Sequence, residues 1–433
     1  MRLNHRFLAL SICAALFALT FATGTASLPA FAAAQSAGGQ PEIFPLKQVK
    51  PGMKGTIYTI FTGDQVEPVE FEVIGVLPNT LGPEQDIILV QLKGEKAEHT
   101  GVAAGMSGSP AYIDGKLLGA LSLKIGIFNK EAIGGVTPFG NMLAIQDGVG
   151  GRTDVAANHS GEFAGNRSFG DSSRVAIPDP IGARVGLGSG NFLIPIPTPL
   201  IFSGFYPQTL AQYSKELAIY GMTAMEGGTA EPRPDDSTLQ RGDMVGMVLA
   251  DGDASLSAGC TVTAIIGEQV FICGHPLFGF GSITMPMARG HVVTTMASAM
   301  ESTKIMNTGG VIGTIKQDKV TAVMGELGAG PQMIPMETTL VTPGGKKQLH
   351  FNLMDDRKLT PLLVGLTTLN SIIGTPAYTE GSTLRLTGTI EIEGHSSVKF
   401  DNMFAPGEIM IPEGFFVANM VQSSFMSIFT NPY

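Results

Sequence analysis

The sequence predicts a mainly β protein, and three observations carry that expectation. Glycine and proline are dense, 56 and 27 of 433 residues. The apolar runs between them are short, as strands in a barrel or sandwich are. Asp114-Gly115, set between two such runs, is a strong two-residue hairpin signal. Composition bounds the class further. Apolar residues make up 44% and charged residues 15%, which excludes a disordered chain. The length is enough for a few domains with real cores. A net charge of −10 without basic clusters excludes nucleic acid as a partner, because such binding rests on Lys and Arg neutralising phosphates.

Residues 1–33 read as a secretory signal. Arg2, His5 and Arg6 form a basic start, Phe7 to Ala22 is apolar, and Ala30-Phe31-Ala32 or Phe31-Ala32-Ala33 offers small residues for cleavage. No later stretch approaches the ~18–20 apolar residues of a membrane span. The expectation is an exported protein, periplasmic or extracellular, with no stable membrane insertion once the signal is removed. Cys13 leaves with the signal, so Cys260 and Cys273 remain. They flank a hairpin pattern, Thr261 to Ile266, Gly267-Glu268, Gln269 to Ile272. A disulfide and two buried thiols are both compatible with it. There is no C-x-x-C or H-E-x-x-H pattern, and neither a metal nor a cofactor is expected.

The strand-like runs follow in order: Gly55 to Phe61, Val69 to Val76, Asp86 to Leu92, Ala111 to Ile113, Leu117 to Leu121 and Ala132 to Pro138. Residues 148–174 are rich in Gly, Ser, Asn, Arg and Asp and read as a flexible linker or long loop. Ile194 to Leu200 is interrupted by prolines and expected to be extended. Gln208 to Tyr220 has helical spacing and ends at Gly221. A second β region runs from Asp243 through Met247 to Ala250, Cys260 to Ile266 and Val270 to Cys273. Residues 290–301 are expected to be helical, and Val311 to Ile315 and Val320 to Met324 strands. Pro361 to Ile373 is an expected helix with Thr360 as its N-cap. Thr383 to Glu393 alternates as a strand, and Phe415 to Phe429 closes the chain as a helix.

The stretch with most chemical content is Gly105-Met-Ser107-Gly108-Ser109-Pro110. Glycines on both sides of a serine allow a tight turn that exposes the hydroxyl and converges nearby N–H groups. The pattern G-x-S-G-x-P is the form trypsin-like proteases place at the nucleophile; in such a turn Gly105 and Ser107 supply the oxyanion-hole N–H groups. It is not the α/β-hydrolase elbow, which needs Gly where this chain has Ser109, and a helix where this chain has a hairpin. A serine needs a base. Of seven histidines, His275 stands at the end of an apolar strand between Gly274 and Pro276, a position suited to a general base and equally to a structural histidine.

Gly105 to Gly119 (GMSGSPAYIDGKLLG) resembles the serine motif of the SpoIVB-type peptidases, trypsin-like serine endopeptidases of bacterial sporulation signalling. Asp253 to Pro276 resembles the part of that family that carries its catalytic histidine. Ile133 to Pro138 resembles the strand that lines the substrate cleft there, which implies substrate binding by Gly135, Val136 and Thr137. The resemblance covers about half of the chain beyond the signal. It implies a trypsin-like double β-barrel, with Ser107 as nucleophile and His275 as general base. Two departures stand out. The serine motif precedes the histidine motif, so the arrangement is apparently permuted, which geometry-defined triads permit. No Asp lies at the family's acid position shortly before the serine; Glu95 and Asp86 are the substitutes at hand. No PDZ-like segment is evident.

The expected organisation is therefore a signal (1–33), a serine-bearing half (34–147), a linker (148–174), a histidine-bearing half (175–340) and a C-terminal β-rich extension with a terminal helix (341–433). The expected function is an exported serine endopeptidase acting on a protein or peptide substrate. The competing expectation is an inactive relative that binds peptides or serves as an envelope scaffold. A Ser-Lys hydrolase using Lys116 or Lys124 is a weaker third, since Lys116 belongs in a solvated turn and nothing in the sequence brings Lys124 to Ser107.

Overall fold

The structure of the protein, a computed structural model, describes residues 39–126, 131–146, 174–177, 192–227, 238–375, 378–379, 381–406 and 412–431. The expected signal (residues 1–33) and all but the last residue of the 148–174 stretch lie outside the described residues. The protein is mainly β, a six-stranded antiparallel barrel joined to a second, larger sheet ring.

The first barrel comprises β1 (Lys54–Ile60), β2 (Val66–Gly82), β3 (Gln85–Leu92), β4 (Pro110–Ile113), β5 (Lys116–Ile125) and β6 (Ile133–Pro138), with the short helices α1 (Glu95–Thr100) and α2 (Phe139–Leu143). Its order is β4-β1-β2-β3-β6-β5, closed by β4–β5 pairing. Asp114 (φ 50°) and Gly115 (φ 76°) make the expected hairpin turn between β4 and β5, because both central residues of such a turn need positive φ. β7 (Val175–Ala176) and β8 (Phe192–Pro195) extend this sheet beyond β5. β7 and β8 therefore belong with the serine-bearing half, and the described chain passes to the second ring at Ile196–Pro197.

The second ring contains β9 (Thr198–Ser203), α3 (Pro207–Ala218), β10 (Met222–Glu226), β11 (Met244–Gly252), β12 (Ser255–Ile266), β13 (Gln269–Ile272), β14 (Gly281–Met296), β15 (Thr303–Lys319) and β16 (Ala322–Leu327). It closes through β11–β12 pairing. The expected helix at 290–301 is instead the end of β14. Val292, Val293, Thr294 and Thr295 are β-branched, which favours the extended chain, and β14 pairs with β15 as far as Met296.

The hairpin β17 (Ile334–Thr342) and β18 (Gly345–Leu353) pairs onto β11, so a boundary at 340 would cut through the second sheet. Helices α4 (Leu359–Ile373) and α5 (Glu413–Phe429) pack on the core of that ring through Leu363, Leu366, Leu369, Ala418 and Val421. Among the described residues, only β19 (Leu384–Ile390) and β20 (Val398–Phe404) form a separate two-stranded sheet. α4 starts at Leu359, not after Thr360. Asp356 does the capping: its carboxylate accepts the Lys358 and Leu359 N–H groups at 2.9 and 3.0 Å. Thr360 instead donates to the Met354 carbonyl at 2.7 Å.

The two rings meet across apolar surface. Tyr112, Leu117, Ala120 and Phe139 of the first pack with Ala264, Phe271, Ala322 and Met324 of the second. Phe139 and Phe271 are edge to face at 5.6 Å, a favoured aromatic geometry. Among the described residues no helix is long and apolar enough to cross a membrane.

Candidate active site

The serine loop, Ala103 to Ser109, turns tightly before β4. Gly105 (φ 88°) and Gly108 (φ 94°) are both left-handed, a conformation only glycine adopts without strain. Inside the loop the Met106 and Ser109 N–H groups donate to the Ala103 and Met106 carbonyls, each at 3.0 Å. The second ring grips the loop from outside. The Thr261 N–H donates to the Ser107 carbonyl at 2.8 Å. The Thr261 and Thr263 hydroxyls donate to the Gly105 and Gly108 carbonyls at 3.0 and 2.7 Å. Gly108 sits so close to β12 that a Cβ there would lie 2.0 Å from the Thr261 carbonyl oxygen and 2.7 Å from the Cys273 nitrogen.

His275 leaves β13 through two successive left-handed residues, Cys273 (φ 67°) and Gly274 (φ 74°). The Thr137 hydroxyl donates to the Gly274 carbonyl at 2.8 Å, and Ser122 Oγ is 2.7 Å from Thr137 Oγ1. The serine and histidine motifs, far apart in the chain, thus meet at the seam between the rings. The element between them is a disulfide: Cys260 and Cys273 are bridged, with a Cα–Cα separation of 5.2 Å. Ser107 is fully buried and its Oγ is 3.6 Å from Cys260 Sγ. His275 is buried as well; its Nδ1 is 2.8 Å from the Pro276 carbonyl oxygen, and Nε2 has no hydrogen-bond partner among the described residues. A carbonyl can only accept, so Nδ1 carries the proton and Nε2 the lone pair. Burial pushes the His275 pKa below the usual value, opposed by the Pro276 and Ile196 backbone groups, because a low-dielectric site disfavours the charged ring.

The acids Glu95 and Asp86 do not take part. Glu95 is exposed at the first turn of α1, and Asp86 accepts the Asn79 N–H at 2.8 Å in the β2–β3 turn. The group holding the imidazole is the Pro276 carbonyl. Gly135, Val136 and Thr137 lie on β6; both edges are taken by β3 and β5 at Gly135 and Val136, so no peptide can pair there, and Thr137 pairs with Ala120 of β5. Thr137 acts instead through Gly274. The Gly105 N–H, one of the two expected oxyanion donors, is already given to the Pro197 carbonyl at 3.2 Å. Lys116 pairs with Glu42, and Lys124 with Glu301 at 3.0 Å. A cavity of about 590 Å³ lined by Lys54, Glu70, Lys93 and Tyr112 contains neither Ser107 nor His275.

Two residues that the sequence did not single out support the site. Asp318, fully buried, accepts the Leu277, Phe278 and Gly279 N–H groups at 2.7, 2.7 and 2.9 Å and so holds the loop that follows His275. Burial raises its pKa, and these backbone donors oppose that rise. Lys304, also fully buried, donates from Nζ to Thr59 Oγ1 at 2.8 Å and lies 3.5 Å from Thr261 Oγ1. Neither lies in a motif, since the partners of both come from distant strands.

The disulfide closes a short loop, with 13 residues of separation. Replacing both cysteines by alanine is expected to lower the unfolding free energy by about 2–3 kcal/mol, mainly by releasing the unfolded chain. Urea denaturation under non-oxidising and non-reducing conditions measures it; equal midpoints and slopes for the two proteins would contradict the expectation. Comparison with protein-family models, with curated proteins and with solved structures finds no match.

Proposed function

We propose that this chain is an exported serine endopeptidase with a trypsin-like, permuted arrangement of two barrels, similar to the SpoIVB type, and that the structure describes its closed state. The observation that supports the reading is the seam itself: strand β12 holds the Ser107 loop by three hydrogen bonds, and β13, bridged to β12 by Cys260–Cys273, carries His275 just beyond its end; the Ser107 and His275 side chains are not hydrogen-bonded to each other. In the reaction Ser107 Oγ attacks the scissile carbonyl and His275 Nε2 takes its proton. The tetrahedral oxyanion is held by the Ser107 and Gly105 N–H groups. His275 then protonates the leaving amine, and water, activated by the same ring, hydrolyses the acyl-enzyme. The depressed His275 pKa keeps the base neutral near pH 7, and the Pro276 carbonyl holds the tautomer that leaves Nε2 free. Three rearrangements must come first. Ser107 Oγ turns away from Cys260 Sγ, Ser107 Oγ and His275 Nε2 come within hydrogen-bond reach of each other, and the Pro197 carbonyl releases the Gly105 N–H.

A second reading, a peptide-binding scaffold without turnover, is favoured by the lack of a carboxylate on His275 and by the burial of Ser107. A fluorophosphonate probe on the protein lacking residues 1–33 separates the two. Slow labelling is expected in the wild type, lost at least 100-fold in Ser107→Ala and in His275→Ala. No labelling of a folded wild type would favour the scaffold.

A further inference from the structure

The chain crosses from the first ring to the second directly over this site. β5 is covered by β4 along its first half, where Ala111 pairs with Gly119 and Ile113 with Lys116. Beyond β4 the same edge is held first by the serine loop, where the Leu121 N–H donates to the Ser109 carbonyl at 2.9 Å and the Gly108 N–H donates to the Leu121 carbonyl at 2.8 Å, and then by the crossing segment. Leu123 pairs with Pro195, Lys124 with Ile194 and Ile125 with Leu193, all antiparallel. The Ile196 N–H then donates to the Ser122 carbonyl at 2.9 Å, and the Pro197 carbonyl accepts the Gly105 N–H at 3.2 Å. One extended stretch therefore touches the strand beside the nucleophile and an oxyanion donor.

Its side chains are used as a bound peptide's would be. Leu193 and Ile196 are fully buried, Ile196 in the cluster that contains Met106, Leu121 and Val136. In an extended chain alternate N–H groups point to opposite sides. Since the Ile196 N–H faces β5, the nitrogens of Pro195 and Pro197 face away from it, so neither proline interrupts the pairing. Both hold the chain extended, and neither offers an outward N–H for further strand addition.

We propose that residues 193–197 fill the peptide-binding cleft of the Ser107–His275 site as an internal occupant, and that the substrates are extended apolar peptides which displace them and add antiparallel to β5. The proposal rests on the peptidase reading for its chemistry, but not for the cleft. The binding strand is then β5, at Ser122 to Lys124, with an apolar side chain seated where Ile196 is. This is the ordinary mode of strand addition, main-chain hydrogen bonds for affinity and alternate side chains for selectivity.

The test uses the chain lacking residues 1–33, with Leu193→Ser and Ile196→Gly combined to loosen the occupant. Two readouts are taken: the rate of fluorophosphonate labelling, and binding of an acetylated, amidated peptide that copies Leu193 to Thr198. Labelling at least tenfold faster than wild type, with the added peptide binding and slowing it again, is the expected result. Peptide binding without labelling supports the cleft and overturns the peptidase reading. Faster labelling without peptide binding, or neither effect, overturns the cleft. Should the double variant not fold, Ile196→Ala keeps the backbone pairing, and labelling about threefold faster is expected of it; an unchanged rate together with unchanged peptide binding overturns the proposal.

Discussion

Lys304→Met is expected to abolish a rise in stability that the wild type shows as pH increases from about 7 to about 10. Lys304 is fully buried, and burial pushes its pKa from 10.5 down to about 7. Below pH 7 the folded and unfolded chains both hold the proton, and the folded chain carries the whole cost of a buried ammonium. Above pH 7 the folded chain releases the proton while the unfolded chain keeps it. Stability then increases by up to about 1.4 kcal/mol per pH unit until the unfolded lysine also titrates. The full effect is on the order of 4 kcal/mol by the same conversion. Methionine fills similar space without a charge, so at pH 6 the variant should be the more stable protein, less about 1 kcal/mol for the lost bond to Thr59. Urea denaturation from pH 6 to 10 on both proteins, disulfide intact, measures it. Parallel pH profiles would show that the lysine stays charged in the fold. The same side chain lies against the serine loop: a Cβ on Gly105 would approach Lys304 Cβ at 3.2 Å. Lys304 also lies within hydrogen-bonding reach of Thr59, next to Ser109, and of Thr261, which holds Gly105.

Gly108→Ala is expected to cost at least about 3 kcal/mol, enough to prevent folding in a marginal chain. Two effects add. The φ of 94° strains any residue with a Cβ by about 1–2 kcal/mol. The new Cβ would also lie 2.0 Å from the Thr261 carbonyl oxygen, which is backbone in β12 and cannot swing aside. Gly115→Ala isolates the first effect, since Gly115 has φ 76° and nothing within 4 Å of an added Cβ. The decisive comparison is the difference between the two variants in urea denaturation. Equal losses would mean that the serine loop does not press on β12 as described. A selective loss at Gly108 would show the contact on which the proposed site depends, because the same backbone approach brings Ser107 to the seam.

Much of the first barrel was legible in the sequence because its signals are local. Alternating β-branched runs, the Asp114-Gly115 turn and the glycines around Ser107 impose their conformations within a few residues. The helices α3, α4 and α5 were legible for the same reason. Residues 290–301 misled because their apolar spacing fits a helix, while the pairing with β15 and the β-branched run at 292–295 select a strand. The cysteine spacing by itself is compatible with a bridge or with two thiols; β12 and β13 pairing in antiparallel register brings the two sulfurs together.

The sequence alone determined the β class, the serine turn at 105–110 and the histidine after β13, since each depends on what a few consecutive residues can adopt. Only the tertiary structure decided how these parts are joined. It showed both edges of β6 occupied at Gly135 and Val136, so that these two cannot pair with a peptide. It put the Pro276 carbonyl, not Glu95 or Asp86, on His275, and set Lys304 and Asp318 beneath the two loops. It also laid Ile196 and Pro197 across the site. All of these are contacts between residues distant in the chain, fixed by ring closure and by the packing of one ring on the other, for which no local pattern in the sequence carries a signal.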